Sequence, residues 1–184
     1  MTAALRLEPV GRPLQPRRRR MAIDDAEQPP HLLTRTVAVT PDMANTAGVV
    51  PWEALRALLN DVAHACASRY AGAAVLMLSA DEVMFLQPVH LGDVIVFLAA
   101  VNYASGTSME IGIRTEAAGL SSGLRSHVSS SFFTMQAVDA SRRPLLITPL
   151  LPRSPDARRR HDRAVRRRQL KEEFAQQLKI FSKR

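Results

Sequence analysis

The sequence has one cysteine and no long apolar run, and these two scarcities exclude whole classes of protein. Cys66 alone cannot build a disulfide framework or, by itself, a metal site. Four of the histidines also occur singly, without the spacing of metal ligands: His31, His90, His127 and His161. Although 46% of the residues are hydrophobic, no apolar stretch approaches the roughly 20 residues that a membrane-spanning helix needs. We therefore expect a soluble globular protein of one domain, with no membrane span, no metal and no cofactor.

The net charge of +8 is concentrated towards the two ends of the sequence. Residues 1–31 carry six arginines against four acidic residues, and residues 152–184 carry twelve basic residues against four acidic ones. Residues 32–151 carry seven basic and nine acidic residues, so the middle of the chain is nearly neutral. We predict a domain over residues 32–151 between a basic Pro/Arg-rich arm, 1–31, and an Arg-rich helical tail, 152–184.

The predicted arm has two interpretations. Its composition lacks apolar periodicity and cannot bury enough surface to offset the entropy of ordering. Six arginines and one acid among the first twenty residues are typical of a mitochondrial presequence, which predicts a location in the mitochondrial matrix. However, serine is absent there, and Pro13 and Pro16 oppose an amphipathic helix. A basic arm on a cytoplasmic protein is the alternative.

The periodicity of apolar residues predicts one long helix and five strands. Apolar side chains recur every three or four positions after Pro51 as far as Tyr70, and Gly72 is placed to end the helix. A strand is predicted before the helix, over Leu32 to Val39. Four segments after it are rich in β-branched and aromatic residues and are separated by turn sequences: AAVLMLSADEVMF, DVIVFLAAVNYAS, SMEIGIRTEA and HVSSSFFTMQAVDA. This α+β order predicts an antiparallel sheet curved around a central helix.

Two blocks of sequence carry a resemblance to a known family. They are NTAGVVPWEALRALLNDVAHACASRYAG and MLSADEVMFLQPVHLGDVIVFLAAVNYASGTSMEI, within which SADEVMFLQPVHLGDVI matches best. Over residues 32–151 the chain resembles the hotdog-fold acyl-CoA thioesterases, in their acyl-CoA hydrolase branch. The resemblance implies a five-stranded antiparallel sheet wrapped around one long helix, acyl-CoA as substrate, and a homodimer or a heterodimer with a paralogue.

The resemblance also implies which residues carry the chemistry. Members of the branch hydrolyse the thioester with an asparagine and a carboxylate contributed by different subunits or repeats, and a Gly-Gly pair at a helix N-terminus lets the carbonyl approach backbone amides. The family asparagine falls on Asn45 and the glycine after it on Gly48, so both are present.

Three other family positions differ in this sequence. The Gly-Gly pair falls on Trp52 and Glu53, and the carboxylate position falls on Asn60. A neutral amide can orient a water but cannot take its proton as a general base. The resemblance also implies that a turn between two strands helps bind the substrate. Here this turn reads Ser-Gly-Thr-Ser, with Gly106 and Ser108, but it lacks the arginine that helps hold coenzyme A phosphates in many relatives. These departures predict a retained fold with impaired catalysis.

The polar face of the helix leaves three interpretations open. Glu53, Asn60, Asp61 and His64 all lie away from the apolar stripe on a helical wheel. They form a solvent-facing or dimer-facing surface, a displaced active site that uses Asp61 or Glu53 with Asn45 or His64, or the remnant of a former site. Trp52 is interpreted as a plug at the mouth of the former tunnel.

Arginine clusters near both ends are the remaining signal, because guanidinium groups suit phosphate. We predict binding of RNA or an acidic protein by Arg17, Arg18, Arg19, Arg20, Arg158, Arg159, Arg160, Arg166, Arg167 and Arg168. The favoured hypothesis is a catalytically impaired assembly subunit of a larger complex, such as a mitochondrial ribonucleoprotein. An active acyl-CoA hydrolase is the alternative, and a sequence-independent nucleic-acid binder is a third class.

Overall fold

A computed structural model describes residues 28–81, 83–119 and 123–181. It contains six strands and two helices over these residues. In chain order they are β1 (Leu32–Ala38), α1 (Trp52–Ala71), β2 (Ala74–Ala80), β3 (Met84–Phe85), β4 (Asp93–Ser105), β5 (Ser108–Gly119), β6 (Arg125–Val138) and α2 (Pro155–Phe181). A short 3-10 turn, Pro41–Met43, lies between β1 and α1.

The strands form one antiparallel sheet in the order β1-β4-β5-β6-β2, and the two-residue β3 also pairs with β6. The predicted five-stranded sheet is therefore confirmed, with one short strand added. The segment predicted as a single strand over AAVLMLSADEVMF forms two strands, because β2 ends at Ala80 and pairing with β6 resumes at Met84. Within β2 the register also shifts between Met77 and Ser79. A bulge of this kind bends a strand away from its neighbour.

Helix α1 packs on the inner face of the sheet. Its apolar stripe is buried there, comprising Leu55, Leu59, Val62, Ala63, Cys66 and Ala67. The helix begins one residue later than predicted, since Pro51 has an extended ψ of 149° and is the N-cap. It ends where predicted, at Gly72, whose φ of 63° is a left-handed conformation that glycine adopts without strain.

Helix α2 lies on the outer face of the same sheet. Strand β5 alternates, with Met109, Ile111 and Ile113 directed into the core, but Glu110 on the opposite side is also buried. The cover comes from α2, where Ala164 is buried and Arg167 pairs with Glu110. The sheet is thus the middle layer between two helices.

The predicted helical tail is present as α2, and few of its apolar residues are buried. Of its sparse apolar residues, Ala164 packs against the sheet, while Leu170 and Phe174 are exposed. The side chain of Leu178 lies outside the described part. Neither described helix is long and apolar enough to span a bilayer.

Candidate functional site

The loop before α1 is held together by the side chain of Asn45. Its Oδ1 accepts hydrogen bonds from the backbone amides of Ala47 and Val49, both at 3.0 Å. Gly48 follows with a φ of 71°, and its carbonyl accepts a bond from the Leu91 amide at 2.9 Å. Asn45 Nδ2 has no partner among the described residues and remains available as a donor.

A pocket of about 220 Å³ opens beside the first turn of α1. Apolar side chains and one amide line it: Val50, Trp52, Leu55, Phe85, Leu86, Gln87, Pro88 and Val89. Trp52 is 51% exposed and stacks against the guanidinium of Arg56, 5.1 Å from the ring centroid. The indole therefore forms one wall of the pocket and leaves it open.

Asn60 and Asp61 lie on the third turn of α1, away from this pocket's lining. Asn60 is half-buried, and its side-chain amide has no hydrogen bond among the described residues, while its carbonyl contacts His64 Nδ1 at 2.9 Å. Asp61 and Glu53 are exposed. One residue along a helix is a rotation of about 100°, so Asp61 does not share the direction of Asn60.

The turn between β4 and β5 is engaged by the carboxyl-terminal part of the chain. The Gly106 carbonyl accepts a bond from the Ile147 amide at 2.9 Å, and Ser108 Oγ accepts one from Arg168 at 3.3 Å. Neither residue lines the pocket beside Trp52. Within this chain the predicted site residues thus lie in separate places: a loop, a helix turn and a hairpin.

The predicted arginines of α2 divide into three sets. Arg159 pairs with Asp156 on its own helix, and Arg160 is half-buried. Arg158 and Arg166 are exposed and make no ion pair with another described residue. Arg167 and Arg168 turn towards the protein and contact Glu110 and Ser108. Arg17, Arg18, Arg19 and Arg20 lie outside the described residues.

Sequence reasoning missed a buried polar network beneath α2. Arg167 binds both carboxylate oxygens of Glu110, at 3.1 and 2.6 Å, and Asn102 Nδ2 donates to the same carboxylate at 3.0 Å. Gly112 makes room for it, because a Cβ there would overlap the Asn102 amide. The sequence did offer one indication of this network. It places an acidic residue on the outer face of a strand in a chain that also has an arginine-rich helix, and the two could pair.

Cys66, the cysteine of α1, is not a reactive thiol, and the described residues form no metal centre. Burial raises the pKa of Cys66 to about 12, so its thiol stays protonated at neutral pH. No group of three His, Cys, Asp or Glu side chains in the described ranges is placed to hold a metal ion. Without a carboxylate on its described lining, the pocket can bind an apolar group beside the Gln87 amide, but it holds no general base of its own.

One long helix inside a curved antiparallel sheet, with a pocket at the helix N-terminus, defines the hotdog class of thioesterase-like proteins. The thioesterase superfamily model matches residues 55–121. Protein VdlD of Helicobacter pylori is 32% identical over 149 residues, which cover 81% of this chain and 84% of that protein. The chain belongs to the thioesterase superfamily, as the resemblance implied.

Two further similar proteins are named as thioesterases of coenzyme A esters. Acetyl-coenzyme A thioesterase of Mus musculus is 32% identical over 136 residues, which are 72% of this chain and only 24% of that protein. The crystal structure of an apo-hexameric acyl-CoA thioesterase superposes with a TM-score of 0.75 at 28% identity, covering 78% of this chain and 92% of that one.

Proposed function

We propose that this chain is a hotdog subunit that binds acyl-CoA thioesters at the pocket beside Trp52 and, unaided, hydrolyses them poorly. The observation that carries the proposal is the absence of a carboxylate from the pocket lining among the described residues. The acyl-CoA class is supported by the relatives' names and by the largely apolar lining of the pocket.

The proposed impairment follows from the chemistry at Asn60. A water attacking a thioester must lose a proton, and a neutral amide cannot accept it. Asp61 is the nearest carboxylate in sequence, but it faces solvent on a different side of α1. Trp52 and Glu53 also replace the small residues that let a carbonyl reach the backbone amides of a helix N-terminus.

A second subunit is part of the proposal, because an edge of the sheet carries exposed apolar side chains. Strand β2 is an edge strand, and Leu76 and Leu78 on it are 42% and 56% exposed. Met84 and Leu86, on β3 and just after it, are 59% and 49% exposed. A patch of this kind is typical of an interface, and the hexameric relative supports a hotdog homodimer or a heterodimer with a paralogue. A paralogue could supply the missing carboxylate.

Replacing Asn60 with aspartate tests the impairment. Asn60 lies away from the pocket of its own chain, so the test concerns a homodimer in which this position comes from the other subunit, as the family resemblance implies. There we expect the Asn60→Asp variant of the full chain to hydrolyse acetyl-CoA or decanoyl-CoA on the order of 10²-fold faster than wild type, because general bases contribute about 10²–10⁴-fold. Free thiol release is the readout, and acyl-CoA binding by calorimetry should be within a few-fold of wild type. Asp61→Asn is the matched control and should change neither.

The alternative is an active hydrolase in which Asp61 activates water and Asn45 orients the thioester. It is favoured by the free Asn45 Nδ2 and by an Asp61 carboxylate that has no ion-pair partner among the described residues. Wild-type turnover above about 1 per second, abolished by Asp61→Asn, would establish this enzyme and reject the impaired subunit.

The proposal also includes an assembly role, in which the basic ends of the chain bind RNA in a larger complex. Arg158 and Arg166 on α2 are exposed and unpaired in the described part, which suits contact with phosphate in a ribonucleoprotein, including a mitochondrial one. Arg158→Gln/Arg166→Gln should weaken RNA binding and reduce its salt dependence. RNA affinity that stays the same in this variant would remove the RNA partner.

A further inference from the structure

A second and larger cavity, of about 590 Å³, lies on the opposite side of the sheet from α1, between the sheet's outer face and α2. We call it the α2 cleft. Its floor is largely apolar and includes Leu32, Leu98, Ala100 and Phe132, while arginines of α2 form one wall: Arg159, Arg160, Arg163 and Arg167. Its volume falls within the roughly 300–1,000 Å³ of ordinary small-molecule sites.

Two of these arginines have no counter-ion among the residues that the structure describes. Arg167 is neutralised by Glu110, and Arg159 pairs with Asp156 at 3.1 Å. Arg160 and Arg163 make no ion pair with any residue in the described ranges, and the buried Arg160 Nε makes no hydrogen bond there. Since a buried guanidinium donor left unpaired is costly, an acceptor that enters the cleft is favoured.

An unpaired acceptor lines the same cleft. Asn102 is only 3% exposed, and its Nδ2 is committed to Glu110. Its Oδ1 has no hydrogen-bond partner in the described part of the chain. A ligand hydroxyl would satisfy this oxygen, whereas a second carboxylate oxygen would not.

The positive charge of the α2 arginines also affects residues next to the cleft. Burial, and to a smaller extent the charge of Arg160, lowers the pKa of His31. Arg114 also lines the cleft, but Glu116 holds its guanidinium at 2.8 Å. Within the described part of the chain, the uncompensated charge is therefore centred on the half-buried Arg160 and the more exposed Arg163.

We propose that the α2 cleft binds a hydroxylated aliphatic carboxylate. The carboxylate pairs with Arg160 and Arg163, the hydroxyl donates to Asn102 Oδ1, and the alkyl chain lies on Leu98 and Phe132. This site is separate from the acyl-CoA pocket proposed above, and its occupancy does not depend on hydrolysis.

Calorimetric titration of the full chain with 3-hydroxydecanoate tests the proposal. We expect binding to be at least about tenfold tighter than for 1,3-decanediol, which lacks the charge, and for 3-hydroxybutyrate, which lacks the alkyl chain. Decanoate, which lacks the hydroxyl, should bind more weakly by a smaller factor. Equal affinity for the diol and the acid would overturn the proposal.

Two double variants, each with two arginines replaced by glutamine, test whether the ligand binds in the α2 cleft. Arg160→Gln/Arg163→Gln should weaken 3-hydroxydecanoate binding about tenfold or more, while Arg158→Gln/Arg166→Gln removes the same charge from the exposed side of α2 and should leave it within about twofold. Leu98→Trp, which fills the floor without changing charge, should also reduce binding. Affinity that is lost equally in both arginine pairs, or retained in Arg160→Gln/Arg163→Gln and Leu98→Trp, excludes the α2 cleft as the site.

Discussion

The two faces of the sheet are each covered by a helix, but the two helices are held by different forces. Helix α1 buries a continuous stripe of apolar side chains, with Leu59, Val62, Ala63 and Cys66 fully inaccessible. Helix α2 buries Ala164 and otherwise meets the sheet through charged groups, including Arg167 on Glu110 and Lys171 on Asp81 at 2.7 Å.

Because the two helices are held by different forces, we expect them to open under different conditions. Apolar burial is non-directional and contributes in proportion to area, so α1 is expected to open only with the whole domain. Charged contacts depend on geometry and on solvent, so α2 can detach from the sheet while the core remains folded. The α2 cleft lies under this second helix, so we expect binding there to change the stability of the core little.

The largest expected effect is the loss of packing under α1. Leu59→Ala removes a fully buried side chain and should lower the free energy of unfolding by roughly 2–5 kcal/mol. Leu170→Ala makes the same chemical change on α2, where the side chain is 48% exposed, and should shift it by about 0.5 kcal/mol or less. Urea denaturation measures both, and equal losses would contradict the contrast between the helices.

A smaller and more local effect is expected from the buried carboxylate under α2. Glu110→Ala leaves the Arg167 guanidinium and the Asn102 amide without their acceptor, which should cost roughly 1–3 kcal/mol. Backbone amides of α2 should then exchange with solvent faster. Labelling of Cys66 by a thiol reagent should stay slow, because the buried thiol is protected by α1 packing and has a pKa of about 12.

The matched control for this variant is Glu172→Ala. Glu172 pairs with Arg168 at 3.1 Å on the same helix, but its side chain is 61% exposed. An exposed helical pair contributes only about 0.3–0.5 kcal/mol, so exchange in α2 should barely change. If Glu110→Ala accelerates Cys66 labelling as much as it accelerates α2 exchange, the two helices open together and the proposed independence is wrong.

The inner half of this architecture could be predicted from the sequence, and the reason is periodicity. Leu55, Leu59, Val62 and Cys66 repeat at helical spacing, and Gly72 gives a stop, so α1 was placed to within one residue. Strand β4 was predicted over its full length, Asp93–Ser105, because turn sequences bound it on both sides.

The contacts of α2 with the outer face of the sheet could not be predicted in the same way, because polar contacts produce no regular spacing in the sequence. Glu110, Asn102 and Arg167 are distant in sequence, and their pairing depends on where α2 crosses the sheet. The apolar residues of α2 are sparse, and two of the largest, Leu170 and Phe174, are exposed, so they could not show which side of the helix meets the sheet. The assignments of Asn45, Asn60 and Asp61 came from resemblance, and they stay predictions until turnover is measured.

The smallest expected effect is a pH dependence at the edge of the α2 cleft. Burial and the nearby charge of Arg160 lower the pKa of His31 below its ordinary value of 6.5, so the unfolded chain takes up this proton first as the pH falls. The stability linked to His31 is therefore complete above pH 6.5 and is lost as the pH falls through the folded-state value. His31→Gln should flatten the decline of the thermal midpoint below pH 6.5, and Arg160→Gln should raise the pKa of His31 measured by NMR, whereas Arg158→Gln should not. A His31 titration that Arg160→Gln leaves unchanged would show that the charge of the cleft does not reach this edge of the sheet.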